Sequence, residues 1–401
     1  MTVDVKERAV ADHVPAELVV DLDVYDLPGA KSDPHIAWRA FQGKGPLVYS
    51  SKNGGHWVAT RGSDVARFYR DVAHFSSDTI IIQQPKGEKM LPLQAAPPDH
   101  SKYRANIQAL LTPKAVAALE TSIRELAIEL IEDFRAKGEC EFITQFALQF
   151  PLNIFLRMMG LPVDDRDMLR AQVEEYTYNP ETEAKIRAYQ ALNDYLEGWI
   201  EKRLKEPGDD AITHITRATI DGRPYTRHEM LSQFSMLLLA GLDTVAMMLG
   251  FVALHLARHP KDRAYIRDNP NRMFQVIQEL LRRYAGPHMS RELAEDYVHE
   301  GVFMKKGDVI ILPNALFNLD PEVAENPETV DFTREAKHIT FGSGPHTCAG
   351  AILARKEIGI FIEEWLARIP EFEEDPDRPA TMKSATQNCV TSLWLRWPVA
   401  A

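Results

Sequence analysis

Cys348, one of only three cysteines in 401 residues, stands in the run HITFGSGPHTCAG (His338–Gly350), together with Gly342, Gly344 and Gly350. A lone cysteine is most often a buried, inert thiol. A dinucleotide-binding loop would need a glycine at position 347, where the chain has Thr347. What remains is a backbone free to approach something large and flat, ending in a cysteine where a helix begins. The residues that follow read as that helix. Ala351, Ala354, Ile358, Phe361, Ile362 and Trp365 form one apolar stripe, with Arg355, Lys356, Glu357, Glu363 and Glu364 mostly off it. Unpaired N–H groups and the dipole at a helix N-terminus favour an anion and draw a thiol toward thiolate. A thiolate reached past glycines is what a haem iron takes as axial ligand.

Three further constellations carry chemistry. Glu279-Leu-Leu-Arg282 places an acid and a base on one helix face, although such pairs are usually solvated and worth little. Ala240-Gly-Leu-Asp243-Thr244 puts an acid and an alcohol inside an apolar run, where they are costly unless hydrogen-bonded. A Thr hydroxyl bonding the backbone and an Asp capping a local kink is the plainer reading of that pair. His100 and Arg104 are two cations one helical turn apart, a clamp for carboxylates or simply an exposed basic turn.

The elements that position these groups are mostly helical. Apolar residues recur every three to four positions from Pro113 to about Leu256. Further helices are predicted at Lys261–Asp268, Asn271–Tyr284 and Gly350–Ala367. GPLVYSSKNGGHWVATRG reads as a hairpin turning at Asn53–Gly55, and Asp308–Leu312 as a strand. The run Phe234–Leu256 is long enough to span a bilayer. Asp243 in its middle favours instead a single helix buried in a large core. The expected class is mainly α, helix-rich, with a small β-rich portion.

At 45% hydrophobic and 26% charged residues the composition is that of an ordinary globular protein, and a net charge of −12 argues against nucleic-acid binding. Three scattered cysteines make neither a disulfide framework nor a C-x-x-C metal site, which fits a reducing, cytoplasmic setting. No linker or repeat divides residues 1–401, so one domain is expected, with 1–20 as a flexible N-terminal segment that lacks the apolar core of a signal peptide.

Taken together, these residues resemble the cytochrome P450 family of haem-thiolate monooxygenases. The pattern F-G-x-G-x-H-x-C-x-G is met in full by Phe341, Gly342, Gly344, His346, Cys348 and Gly350. The E-x-x-R pair and the A-G-x-D-T run precede it in the family's order, and Arg334 resembles the family's third partner of that pair. Within the family the likeness is to the bacterial camphor 5-monooxygenases, through NGGHWVATRG, HFSSD, AGLDTV, LLRRY and LARIPEF in that order.

The resemblance implies a triangular, mainly α-helical domain holding haem b (heme b, iron protoporphyrin IX). Cys348 would ligate the iron, and its thiolate would push electron density toward O–O cleavage. His100, Arg104, Arg291 and His346 would hold the haem propionates. Asp243 and Thr244 match the family's acid–alcohol pair for proton delivery, and Glu279, Arg282 and Arg334 its structural core. Ile81, Ile82, Met90, Leu91, Met236, Leu239, Ala240, Pro287, Met289, Thr386 and Gln387 would line the substrate pocket. The 80–93 loop, IIIQQPKGEKMLPL, has no Tyr, Trp or Phe. Glu88 or Lys89 falls near the position where the camphor enzymes carry a substrate-binding tyrosine, so camphor itself is doubtful.

A small, largely apolar substrate is expected, a terpenoid or norisoprenoid, hydroxylated with O2 by an oxidoreductase acting on paired donors. No flavin, nicotinamide or iron–sulfur motif is present, so the resemblance implies a [2Fe–2S] ferredoxin fed by an NAD(P)H-dependent reductase. Arg104 and Arg355 are expected to offer it positive charge. A monomer without nucleic-acid or membrane partners is the default. The alternatives are a non-catalytic haem or ligand-binding protein and a peroxide-using peroxygenase of the same fold.

Overall fold

The computed structural model describes residues 9–84, 87, 89–179, 181–241 and 243–399. Its fold is mainly α with a smaller β portion, as expected, and its buried apolar residues fall into two clusters. The larger cluster gathers the helices. Helix Pro113–Arg135 starts where Thr112 accepts a hydrogen bond from the Ala115 N–H at 3.2 Å and Pro113 takes the first helical position. Its apolar face, from Val116 to Phe134, packs on helix Ala351–Arg368, which follows the Cys348 loop. Lys356–Glu120 at 2.7 Å and Arg124–Glu363 at 2.8 Å line the edge of that contact.

Helix Ala351–Arg368 is buried more fully than its sequence stripe suggests. Glu357, expected off the apolar face, is only 2% exposed. The helix is covered by several neighbours, including Met273–Arg283 and Thr244–Arg258, so Glu357 and Glu364 lie inside while Glu363 stays exposed.

The expected single helix Phe234–Leu256 is instead two, Arg227–Gly241 and Thr244–Arg258. Asp243 between them has non-helical backbone, φ −127° and ψ −30°. The Thr244 hydroxyl donates to the Ala240 carbonyl at 3.0 Å, competing with the helical ladder. Gly241 is required by packing, since a Cβ there would lie 2.5 Å from Phe155 Cδ2. By length and mean hydropathy, 2.1, Arg227–Arg258 could cross a membrane, but 65% of its most apolar window is buried within the protein.

The smaller cluster sits on a five-stranded sheet. Its order is Leu47–Ser50, His56–Ala59, Val309–Pro313, His288–Leu293 and Phe75–Ser76. The predicted hairpin is present with register Leu47↔Ala59, and Asn53, Gly54 and Gly55 all turn through positive φ. The predicted 308–312 strand runs parallel to His56–Ala59 and antiparallel to His288–Leu293, with Ile310 opposite Arg291. Alternation along His288–Leu293 puts Met289 and Arg291 on the same face.

Other expectations need adjusting. The stretch from Pro113 to Leu256 also contains strand Glu139–Glu141, paired with Trp394–Arg396, and a small hairpin, Thr219–Ile220 with Arg223–Pro224. The helix expected at Asn271–Tyr284 is a 3₁₀ turn, Pro270–Arg272, followed by Met273–Arg283. Of the N-terminal segment 1–20 expected to be flexible, residues 9–20 are anchored. Val14 is buried, the Val20 N–H donates to the Tyr49 carbonyl at 2.8 Å, and His13 reaches Asp308 at 2.8 Å.

Candidate functional site

The Cys348 loop is shaped by its glycines. Gly342 and Gly344 adopt φ of +76° and +78°, a conformation that a side chain would strain. A Cβ on Gly344 would also press to 3.0 Å from the Tyr69 carbonyl. The Cys348 N–H donates to the Phe341 carbonyl at 2.8 Å, closing the loop. Dense protein around Cys348 pushes its thiol pKa up, yet the side chain is exposed. The N–H groups of Gly350 and Ala351, with the Arg104 and Arg355 cations, pull the thiol back toward thiolate. Helix Ala351–Arg368 thus starts at the sulfur, the arrangement read from the sequence.

A cluster of basic side chains lies close by. His100 and His346 have ring centroids 4.2 Å apart. Burial, then the neighbouring His100, Arg291 and Arg104, take His346 down to about 3 and hold it neutral. Arg291 is 2% exposed, and its Nη1–H donates to the Ser290 carbonyl at 2.7 Å. Its guanidinium lies 5.1 Å from the Tyr69 ring centroid. Arg104 donates to the Thr347 carbonyl, at the foot of the Cys348 loop. Among the described residues none of the four pairs with a carboxylate. Arg291 Nε, His100 Nε2 and His346 Nδ1 are buried without a hydrogen-bond partner. Such groups are costly unless an anion meets them. The set therefore suits a flat ligand with carboxylates at its edge and an electrophilic centre over the sulfur, the form of haem.

The broken helix and the residues expected to line a pocket approach from elsewhere. Asp243 is buried; burial, reinforced by this acid and opposed by Lys383, pushes the neighbouring Cys389 thiol up to about 12. Ala240, near the end of helix Arg227–Gly241, is exposed, and Leu239, Pro287 and Met289 are half-buried. Pro287 forms a bridge to Gln387, and the His288 N–H donates to the Thr386 carbonyl at 2.9 Å. Thr386 Oγ1 and Gln387 Oε1 are buried without a partner.

Met90 and Met236 belong to the helical cluster, and Ile81, Leu239 and Met289 pack against it. Ile82 is not brought to them: the chain bends at Ile81 and turns at Ile82 and Gln83, and Ile82 is buried in the sheet cluster. The 80–93 loop is tied down by Gln94 Nε2 to the Asp78 carbonyl at 2.6 Å and by the Leu91 N–H to Ser232 Oγ at 2.7 Å. Lys89 pairs with Asp78 at 2.5 Å, while Glu88 lies outside the described residues.

Glu279 and Arg282 form a bidentate pair, two bonds of 2.8 Å, with both side chains wholly buried. Arg282 also donates to the carbonyls of Asn318, Pro327 and Thr329 at 2.6–2.9 Å. Arg334 Nε lies 3.3 Å from Glu279 Oε1, and the Asp331 N–H donates to that oxygen at 3.0 Å. The solvated surface pair that spacing alone favours is thus a filled internal knot.

Two contributors were missed from the sequence. Ser77 Oγ lies 3.0 Å from His346 Nε2, and Tyr69 supplies the ring beside Arg291. No spacing links either to Cys348, since both arrive through tertiary folding. Arg104 and Arg355, expected to face a partner, are half-buried and turned toward Cys348. Arg355 also donates to Gln278 at 2.7 Å and covers the Phe341 ring.

The family model described as cytochrome P450 matches residues 169–391. The chain is 35% identical over 381 residues to a probable cytochrome P450 127A1 of Sinorhizobium fredii, covering 92% of each protein. It is 27% identical to the vitamin D(3) 25-hydroxylase of Pseudonocardia autotrophica, over 84% of this chain and 87% of that one. Two solved structures superpose closely. CYP101C1 does so with a TM-score of 0.89 at 39% identity, over 97% of this chain and 100% of that one. CYP101J2 does so with a TM-score of 0.90 at 35% identity, over 98% and 100%. Likeness of this extent leaves one conclusion about the loop around Cys348 and the fold that carries it: the chain belongs to the cytochrome P450 family.

Proposed function

We propose that this protein is a ferredoxin-dependent monooxygenase that inserts one oxygen atom of O2 into an unactivated C–H bond of a small terpenoid or norisoprenoid. The observation that carries this reading is the set of unpaired buried donors beside Cys348: Arg291 Nε, His100 Nε2 and His346 Nδ1. Family membership implies haem, and these residues fit it. Cys348 would hold the iron, and Arg291, Arg104, His100 and His346 would hold the propionates. When bound, haem supplies the dioxygen-activating redox chemistry, with electrons from a [2Fe–2S] ferredoxin and its NAD(P)H-dependent reductase.

The chain's own residues do the rest. Because the Thr244 hydroxyl donates to the Ala240 carbonyl, its oxygen is left to accept a hydrogen bond and orients water or dioxygen. Buried Asp243, next to it, would pass protons toward the water that the Thr244 oxygen holds. Leu239, Ala240, Met236, Pro287 and Met289 offer an apolar wall that excludes water and orients the substrate by shape. Thr386 Oγ1 and Gln387 Oε1 supply one polar contact, so the preferred substrate carries a single hydroxyl or ketone on a hydrocarbon frame. The Asp243–Thr244 pair favours monooxygenation over peroxide use and over ligand binding without turnover.

Two measurements test the reading. The reduced protein with carbon monoxide is expected to show a strongly red-shifted Soret band that Cys348→Ala abolishes; without that band in the haem-loaded wild type, thiolate ligation fails. Titration with a panel of monoterpenoids and norisoprenoids is expected to give a high-spin shift for oxygenated members. Silence across the panel rejects the substrate class while leaving the haem site standing.

A further inference from the structure

The far end of helix Thr244–Arg258 carries three side chains of metal-ligand type that the Cys348 site does not use. His255 lies in its last turn, His259 follows it, and Asp262 opens the next helix, Pro260–Asp268. One ligand atom from each lies within 4.8 Å of the others. We propose that His255, His259 and Asp262 form a binding site for one divalent cation of the zinc class, bracing the junction between these helices.

The donor set is two imidazoles and a carboxylate, which suits zinc and its neighbours and leaves a fourth position for water. Each imidazole already has the outer partner that ligating histidines use. His259 Nδ1 lies 2.8 Å from the His255 carbonyl oxygen, so it carries the proton and leaves Nε2 with the lone pair. His255 Nδ1 lies 2.9 Å from the Tyr284 hydroxyl, and its Nε2 lies 2.8 Å from Asp262 Oδ2.

In that last contact a proton stands where the cation would go. Two ligand atoms about 2.1 Å from a tetrahedral cation sit roughly 3.4 Å apart, so the His255–Asp262 pair opens slightly and the widest separation closes. His255 is buried and held by Tyr284, whereas His259 is exposed and Asp262 partly so. The rigid ligand thus faces two that can adjust.

The surrounding charge permits a cation. An open recess of about 550 Å³ adjoins the three residues and is lined also by Arg258, Arg283 and Glu328. Arg258 is engaged by Glu374 through bonds of 2.6 and 3.0 Å, and Arg283 by Asp33. These two positive charges are answered by their own carboxylates, and the recess gives a path from solvent.

Cation uptake requires the proton on His255 Nε2 to shift to Nδ1, where it donates to the Tyr284 oxygen and leaves the Nε2 lone pair for the cation. Calorimetric titration of the full haem-loaded chain with zinc chloride tests this. The wild type is expected to take up one equivalent, and its thermal midpoint to rise with zinc. The double variant His259→Ala/Asp262→Asn is expected to lose that equivalent, and Tyr284→Phe to weaken it about 10- to 100-fold. The carbon monoxide spectrum checks that each variant keeps its fold. If the double variant loses that spectrum, the near-isosteric Asp262→Asn alone decides. Uptake unchanged in the folded variant, or no uptake by the wild type, overturns the proposal.

Discussion

Replacing Arg291 by Met is expected to move two properties in opposite directions. Arg291 is 2% exposed, held by the Ser290 carbonyl and the Tyr69 ring, and pairs with no carboxylate among the described residues. Burial alone lowers its pKa, and only the nearby Tyr69 opposes this. In the haem-free chain it is a buried cation with incomplete compensation, so a similar-sized apolar side chain there is neutral or stabilising. On the proposed reading, the same guanidinium would donate to a propionate once haem is bound. A hydrogen bond to a charged group contributes about 1.5–3 kcal/mol, which is roughly 10- to 150-fold in affinity at about 1.4 kcal/mol per tenfold. Most of that change belongs to dissociation. Transfer of haem from Arg291→Met to excess apoglobin should therefore run about 10- to 150-fold faster than from wild type. The haem-free variant should melt no lower. Arg291→Lys keeps the charge without the planar fork and should fall between them. Haem transfer at the wild-type rate, or a haem-free variant that melts well below wild type, would show Arg291 to be a structural part of the sheet and no anion anchor.

Other perturbations follow from local geometry. Gly241→Ala places a Cβ 2.5–2.6 Å from the Phe155 ring, and overpacking of this kind costs about 1–3 kcal/mol; an unchanged thermal midpoint would mean the ring slides aside freely. Glu279→Gln leaves the wholly buried Arg282 without its counter-charge, a loss of about 3–5 kcal/mol that denaturant titration should register; a loss under 1 kcal/mol would contradict the burial. Glu357, pushed up to about 8 by burial, keeps its proton in the folded state after the unfolded chain has released it. Stability must then fall as pH rises from about 4.5 to about 8, by roughly 1.4 kcal/mol per unit from this group alone. Glu357→Gln should flatten that decline in melts between pH 5 and 8, and identical slopes would reject it.

How much of this was legible in the sequence depended on how local each signal was. The hairpin, the helix after Cys348 and the glycines that admit it are written within a dozen residues, because turn conformation and helical periodicity are short-range. The break at Asp243 was half legible: the cost of an acid and an alcohol in an apolar helix was clear, but the reason for Gly241 was not. That reason is Phe155, which presses its ring to the site of the missing Cβ from 86 positions away. Glu279–Arg282 looked like a surface bridge because spacing carries no information on burial. Only the carbonyls of Asn318, Pro327 and Thr329, brought in by a separate segment, make it internal.

The cation cluster shows the same limit from the side of chemistry. His100, Arg104, Arg291 and His346 come from three distant parts of the chain, and nothing in their individual surroundings distinguishes them from surface charges. Once folding excludes water from around them without supplying an acid, each donor raises the cost of the next, as the pKa of His346, driven down to about 3, records. Such groups are costly unless an anion offsets them, as the carboxylates of the proposed haem would. The thiol beside them obeys the complementary rule. Burial disfavours its thiolate, and the N–H groups of Gly350 and Ala351 only partly compensate, so the anionic sulfur needs a positive centre as much as the cations need carboxylates. One ligand that brings both, an electrophilic metal at its centre and acids at its rim, satisfies the two halves of the site at once, and neither half alone would have specified it.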